Sequence, residues 1–360
     1  MNIINKVLNE IKSPSDPDLL KKIKDSQLPL VLWGASKMAK FISRILYKNG
    51  ISVSAIFTDY PESNETFNGM IVSSFYELSD KFIKFNILVA HGEFGLVEKY
   101  RNFNQVENIF TLFDWHDLGF SLDDKFLNEN SFDLNNLYDN FSDKLSKDSF
   151  DNYITSRATN NWDYIRSFVR PCQYFPDFFE LEDDEIFVDC GAFTGDTLLD
   201  FINQTKGCHG FYYAVEPSPT NANNIKTIVE TKKISNIRIV QKAVWNSIEK
   251  FSFEEDMDSS HFNFNKISDN NIIVCTDLID NICSSQATFI KMDVEGSELM
   301  ALKGAAKTIQ LNKPKLAISI YHKSDDLITI PKYLKELHPD YKFYFRLHNK
   351  LGSDAILYAI

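Results

Sequence analysis

Glu185-Ile186-Phe187-Val188-Asp189-Cys190-Gly191-Ala192-Phe193-Thr194-Gly195-Asp196-Thr197 reads as a buried apolar strand running into a glycine-rich turn and then a helix. Gly191 and Gly195 permit positive φ and a close approach of the backbone to a ligand, both of which a side chain would penalise. Thr194 or Asp196 is placed to cap the helix that follows. Asp189, at the end of the strand, can accept a hydrogen bond or pair with a cation. A strand, a tight turn and a helix start in this order make a cofactor cradle, although such a turn can also stand empty.

About 25 residues further on, Phe211-Tyr212-Tyr213-Ala214-Val215-Glu216-Pro217 forms a second apolar strand ending in a carboxylate, and Pro219 suits the opening of the next helix. In a nucleotide-binding βαβ unit an acid at the end of the second strand grips the ribose hydroxyls. The plain alternative for Glu216 is a solvent-facing acid at a strand end. The G-x-x-x-G spacing, with an acid just ahead of it, fits S-adenosylmethionine better than a pyrophosphate. A third strand-to-helix junction, Thr288-Phe289-Ile290-Lys291-Met292-Asp293-Val294-Glu295-Gly296-Ser297-Glu298-Leu299, feeds a helix expected to run to about Leu311. In a doubly wound sheet the carboxyl ends of the strands border one crevice, so Asp293 and Glu295 should face the same cavity as Asp189 and Glu216. Glu295 or Ser297 can instead serve as the cap of that helix.

The segments VDCGAFTGDT, YAVEP and IKMDVEGSELMALKGA, with the tail LAISIYHKSDDLITIPKYLKELHPDYKFYFRLHN, resemble the FkbM family of S-adenosylmethionine-dependent methyltransferases. The resemblance extends from about Ser146 to Ile360 and includes Gln173-Tyr174-Phe175 ahead of the first strand. It implies an α/β, Rossmann-like class I methyltransferase domain that acts on sugars or other small molecules, mostly at oxygen. The cofactor-binding residues expected on this basis are Asp189, Gly191, Ala192, Gly195, Asp196, Thr197, Glu216, Pro217, Ala243 and Asp293. Class I enzymes place the adenine beside the end of the third strand, here Ile237 to Val244, which makes Ala243, Val244 and Trp245 the adenine-pocket candidates. Phe251-Ser252-Phe253 and His261-Phe262-Asn263-Phe264 alternate like an antiparallel ribbon inserted before strand four. A final hairpin, Tyr341 to Arg346 and Ala355 to Tyr358, fits the usual methyltransferase ending.

Transfer of a methyl group from a sulfonium to a hydroxyl is an in-line displacement, so donor and acceptor must be aligned and the hydroxyl proton removed. His322, at the crevice end of strand five, has a suitable ordinary pKa for the base, and Asp293 or Glu295 is the competitor. His348 and Arg346 are placed near the mouth. A magnesium ion on Asp293 could lower the hydroxyl's pKa instead, but the sequence offers no convincing third ligand, so no metal is assigned.

Upstream, Leu30-Val31-Leu32-Trp33 runs into Gly34-Ala35-Ser36, and Val53 to Phe57 ends at Thr58-Asp59, a second Rossmann-like start. Residues 1–115 therefore read as a smaller N-terminal Rossmann-like α/β domain, 116–180 as a helical connector and 181–360 as the methyltransferase domain. Asp59 stands where a dinucleotide domain keeps its ribose acid, yet the loop has one glycine where that fingerprint has three. Nucleotide-sugar or acceptor recognition, or a purely structural or dimerising role, are the other readings of this domain. His91-Gly92-Glu93-Phe94-Gly95 adds a polar cluster at the end of its fourth strand.

With 50 acidic against 38 basic side chains and a net charge of -12, the chain lacks the general basic face that nucleic-acid binding needs. Its five cysteines show no C-x-x-C pair, which suggests neither zinc nor a disulfide framework and fits a reducing cytoplasm. No apolar run approaches the roughly 18 residues of a membrane span. The expectation is a cytoplasmic enzyme with a small-molecule or sugar acceptor, no nucleic acid partner and no membrane span, and with homo-oligomerisation left open. A non-catalytic nucleotide or nucleotide-sugar binding module is the alternative. An NAD-dependent sugar oxidoreductase would need a richer glycine loop than Gly34-Ala35-Ser36.

Overall fold

The structure, a computed structural model, describes residues 2–12, 19–35, 37–90, 97–111, 122–159, 164–206, 210–254, 261–262, 272–349 and 354–360. Its contacts divide the chain into two compact units, residues 9–118 and residues 1–8 with 119–360.

The N-terminal unit takes the end of α1 (Ile3–Lys12), then α2 (Leu19–Asp25), β1 (Leu30–Trp33), α3 (Lys37–Lys48), β2 (Ala55–Phe57), β3 (Thr66–Phe67), β4 (Met70–Ser73), α4 (Phe75–Lys81), β5 (Phe85–Val89), α5 (Val97–Arg101) and β6 (Val106–Thr111). Among the described residues its sheet runs β3-β4-β2-β1-β5-β6, parallel except for the short β3. Both faces of β1 and β5 are buried, as helix-covered parallel strands require. The start of α4 is fixed by a capping box: Ser74 accepts from the Glu77 amide, and Glu77 reaches back to the Ser74 amide at 2.7 Å.

The C-terminal unit begins with three helices, α6 (Asp124–Glu129), α7 (Ser131–Asn140) and α8 (Lys144–Thr159). The alternation then runs β7 (Ile186–Cys190), α9 (Asp196–Gln204), β8 (Phe211–Val215), α10 (Pro219–Lys232), β9 (Ile237–Val240), β10 (Ala243–Val244), β11 (Lys250–Glu254), β12 (His261–Phe262), β13 (Ile272–Asp277), α11 (Ile279–Ile282), β14 (Phe289–Met292), α12 (Glu298–Lys303), α13 (Ala306–Asn312), β15 (Lys315–Ser319), α14 (Asp326–Leu337), β16 (Phe343–Leu347) and β17 (Ala355–Ala359). Among the described residues, seven of these strands form the sheet β16-β17-β15-β14-β7-β8-β9. It is parallel from β9 to β15 and is closed by the antiparallel β16/β17 hairpin. This is the Rossmann-like α/β architecture expected, with β7 inside the sheet between β14 and β8. Its core is aromatic: Phe187 stacks on Phe289 with centroids 4.2 Å apart, and Phe175, Phe201 and Tyr212 pack around them. Among the described residues no helix is long and apolar enough to cross a membrane.

Several elements depart from the periodicity. The expected third strand breaks after Val240, where the Lys242 amide folds back onto the Val240 carbonyl at 2.9 Å; β10 then leaves the main sheet to pair with β13. The antiparallel ribbon exists as β11 against β12 and β13, while Asn263 and Phe264 lie outside the described residues. The helix after Ser297 is interrupted at Gly304, where an added Cβ would meet the Trp245 carbonyl at 2.1 Å. Within the expected helical connector, the described residues after 164 hold a 3-10 turn at Arg166–Phe168, and Val169 then turns extended ahead of Arg170-Pro171 and bridges to Leu347. Strand β3 carries no apolar run and was not expected.

The helices of the connector segment pack within the C-terminal unit rather than standing apart from its sheet. Arg346, expected near the mouth, is buried instead, and clamps Asp143 through its guanidinium at 2.6 Å and the Ser146 hydroxyl at 2.7 Å. Burial alone would raise the Asp143 carboxyl, but Arg346 and Ser146 hold it below the usual carboxylate range. A depressed folded-state pKa gives stability that is present above the unfolded carboxyl's pKa and lost as pH falls through the folded value. Denaturant midpoints measured between pH 5 and pH 2.5 should therefore fall more steeply for the wild type than for Asp143→Asn. Parallel curves would mean that this clamp contributes nothing.

Candidate active site

The carboxyl ends of β7, β8 and β14, with the break between β9 and β10, enclose a cavity of about 260 Å³. It is the crevice that an open α/β sheet offers to a ligand. Of the residues expected at the cofactor, Gly191, Asp196, Thr197, Glu216, Pro217, Ala243 and Asp293 line it, as does Glu295. Asp189, Ala192 and Gly195 do not, although the last two shape the turn that forms one wall.

That turn alternates hand. Gly191, Phe193 and Gly195 all have positive φ, at 80°, 46° and 92°. Gly191 and Ala192 both donate to the Val215 carbonyl, at 2.9 and 3.1 Å, which ties the turn to the neighbouring strand. The cap of α9 is Gly195 itself; neither Thr194 nor Asp196 caps it, because the left-handed residue closes the turn and puts Asp196 at the first helical position. Gly195 leaves no side chain to occupy the helix entrance.

Glu216 is 5% exposed. One carboxylate oxygen accepts from the Phe193 amide and the other from the Ser218 amide, each at 2.9 Å. Ser218 in turn caps α10 by accepting from Asn221, with Pro219 at the first helical position. Burial pushes the Glu216 carboxyl above its ordinary value despite these donors. The head group is thus fixed in place, and each oxygen keeps a lone pair for a donor in the cavity, the pattern a vicinal diol satisfies.

Asp189 is fully buried and faces inward. It forms an ion pair with Lys291 at 3.0 Å and accepts from the Tyr212 hydroxyl. Register explains the pair, because Lys291 stands directly beside Asp189 across the β14/β7 ladder. Lys291 also donates to the Gly191 carbonyl at 2.6 Å and so holds the glycine turn from beneath. Burial alone would lower the Lys291 ammonium, but Asp189 and Asp293 hold it above its ordinary value. Burial pushes the Asp189 carboxyl up against the pull of Lys291 and Tyr212. Lys291, which lines the cavity, was missed; the signal was a lysine inside the otherwise apolar Phe289-Ile290-Lys291-Met292 strand.

On the far wall, Asp293 accepts from the Tyr174 and Tyr321 hydroxyls, at 3.0 and 3.1 Å. Glu295 sits in a left-handed conformation, φ 53°, followed by Gly296 at 86°. This tight turn, not a helix cap, accounts for its position; Ser297 starts α12 without a side-chain cap. His322 lies behind the two acids and does not line the cavity. Its Nε2 is 3.6 Å from Asp293 and 3.4 Å from Glu295, and its Nδ1 is 2.9 Å from Glu298. Burial alone would lower its pKa, but Glu298, Glu295 and Asp293 hold it well above the ordinary imidazole value. Glu298 and Asp354 were not foreseen; burial, reinforced by the Asp293 charge, pushes Asp354 up to about 6.

Of the adenine-pocket candidates, Ala243 and Val244 line the cavity and Trp245 does not. His348 is held by the Arg170 carbonyl and the Tyr358 hydroxyl, at 2.8 and 2.7 Å, away from the cavity. In the N-terminal unit Asp59 is engaged by Trp33 Nε1 at 3.1 Å, by the Tyr100 hydroxyl and by Lys99, so its carboxylate is satisfied within the fold. The loop from His91 to Gly95 lies outside the described residues.

The methyltransferase FkbM domain family matches residues 189–343. Among solved structures, the methyltransferase FkbM from Methylobacillus flagellatus KT superposes with a TM-score of 0.78 at 22% identity, over 99% of this chain and 98% of that one. An rRNA methylase from Streptococcus thermophilus is 16% identical over 50% of this chain and 87% of its own, with a TM-score of 0.32, too loose a superposition to argue from. A search of curated protein sequences finds no match. The segment that carries the glycine turn, the Glu216 carboxylate and the Asp293 junction matches the methyltransferase FkbM domain, and the chain shares its Rossmann-like fold with the solved FkbM methyltransferase.

Proposed function

We propose that this methyltransferase, with S-adenosylmethionine as its methyl donor, acts on a hydroxyl of a sugar, a nucleotide-sugar or another small hydroxylated metabolite. The observation that carries the reading is the Glu216 carboxylate, fixed by two backbone amides at the edge of a cavity walled by a left-handed glycine turn. Glu216 would accept from the ribose hydroxyls, Ala243 and Val244 would flank the adenine, and the Gly191 to Gly195 turn would let the donor come close. Asp189 acts indirectly, by fixing Lys291 and through it the turn.

On the acceptor side, Asp293 and Glu295 face the cavity and His322 backs them. Tyr174 and Tyr321 hold Asp293 by its oxygens, so Glu295 is the freer carboxylate to receive the hydroxyl proton. His322 sets the charge of the cluster: its positive charge offsets the surrounding carboxylates and becomes neutral only at a pH well above that of an ordinary histidine. His322→Ala should accordingly leave donor binding within about twofold and lower turnover by on the order of a hundredfold, the usual yield of a positioned acid–base group. Wild-type turnover in that variant would remove His322 from the mechanism.

The direct test of the donor site is the affinity for S-adenosylhomocysteine. Glu216→Gln should weaken it by on the order of a hundredfold, since hydrogen bonds to a charged acceptor contribute roughly 1.5–3 kcal/mol each. An unchanged affinity would mean that Glu216 does not hold the ribose. The acceptor class is then found by following transfer of a labelled methyl group to a panel of sugars and nucleotide-sugars, with oligonucleotides as the control; labelling of RNA alone would contradict the small-molecule reading.

A further inference from the structure

Three elements of the C-terminal unit converge beside the cavity: the end of β14 brings Asp293, the first residue of α12 brings Glu298, and the segment after β15 brings His322. One ligand atom from each lies within 4.8 Å of the others. Around a divalent ion with bonds of about 2.1 Å, ligand atoms stand roughly 3 to 4.2 Å apart, so shifts of a few tenths of an ångström would close the shell.

Two further observations point to a ligand. Glu298 is fully buried, and while its Oε1 accepts from the Val294 amide at 2.9 Å, its Oε2 has no hydrogen-bond partner. His322 is 9% exposed, and neither ring nitrogen makes an aligned hydrogen bond, although Nδ1 is 2.9 Å from Glu298. A cation bound there would displace the His322 proton, and would then share the freed imidazole lone pair and the unpartnered Glu298 oxygen.

We infer that Asp293, Glu298 and His322 form a binding site for one divalent first-row cation. The mixed imidazole and carboxylate set suits Mn2+ or Zn2+ better than Ca2+. Sequence spacing hid the site because only Asp293 stood out at the strand end, and the other two ligands come from separate elements. Glu295 lines the cavity and stands 3.4 Å from His322 Nε2, between the cluster and the cavity. The use of the cation, to hold the acceptor's hydroxyl oxygen, rests on the methyl-transfer reading above; its binding does not.

The test is a titration of the chelator-treated full chain with Mn2+, followed by the loss of the free-ion electron paramagnetic resonance signal, and with Zn2+ by calorimetry. The wild type should bind one ion per chain. Glu298→Gln and His322→Asn should each weaken binding by roughly tenfold or more, and His322→Asn decides should Glu298→Gln not fold. The thermal shift with S-adenosylhomocysteine should persist in both, since neither residue lines the cavity. No binding of either ion at millimolar concentration, or binding that neither variant alters, overturns the inference and leaves the cluster as an internal ion-pair network. Cation binding without a response to S-adenosylhomocysteine would overturn the donor reading instead, so the two fail separately.

Discussion

Asp189→Ala is expected to destabilise the fold by about 3–5 kcal/mol, the usual penalty for leaving a buried charge without its partner. Lys291, 3% exposed, would keep the Gly191 carbonyl and lose the carboxylate 3.0 Å away, and Tyr212 would lose its acceptor. The same reasoning predicts recovery when both charges go, because well-packed apolar replacements of a buried pair are often neutral. Urea denaturation of Asp189→Ala and of Asp189→Ala/Lys291→Met checks both statements. A single-variant cost below about 1 kcal/mol, or a double variant no better than the single, would show that the pair does not anchor the centre of the sheet. The double variant should still bind S-adenosylhomocysteine poorly, since Lys291 positions the turn.

The second large effect is expected from Gly191→Ala. A Cβ at Gly191 would lie 1.9 Å from the Asp293 carbonyl oxygen, on a backbone with φ of +80°. Neither atom can yield cheaply, because Asp293 donates its amide to Cys190 at 3.1 Å and Gly191 is tied to Val215. The left-handed conformation costs an L-residue about 1–2 kcal/mol and forced repacking about 1–3 kcal/mol more. Gly50→Ala is the matched control: its φ is +68° and no atom lies within 4 Å of the added carbon. Gly50→Ala should show only the conformational part, and Gly191→Ala a distinctly larger loss together with loss of donor binding. Equal midpoints for the two variants would contradict the close approach of the β7 turn to the β14 junction.

What could be read from the sequence follows from which features are local. The three strand-to-helix junctions were legible because a buried parallel strand, a glycine turn and a helix start occupy consecutive residues. The positions of Gly191, Glu216 and Asp293 at one cavity follow directly from the rule for open α/β sheets. The inward turn of Asp189 was not legible, since it depends on Lys291, a hundred residues away and adjacent only through strand register. Glu298 carried no reading of its own, because nothing local in the first turn of α12 shows that it is fully buried 2.9 Å from His322. Arg346 looked like a mouth residue because the hairpin end is near the crevice, but its partner Asp143 comes from the segment that precedes α8. The break in the third strand escaped notice because Gln241-Lys242 lies within an otherwise continuous β-forming run.

The most direct test of the donor site is a calorimetric titration of S-adenosylhomocysteine into the full chain, repeated with NAD and with Glu216→Gln. The account predicts one site per chain for S-adenosylhomocysteine, no heat with NAD, and binding weakened on the order of a hundredfold by the substitution. Binding of NAD without S-adenosylhomocysteine, or binding indifferent to Glu216, would contradict it.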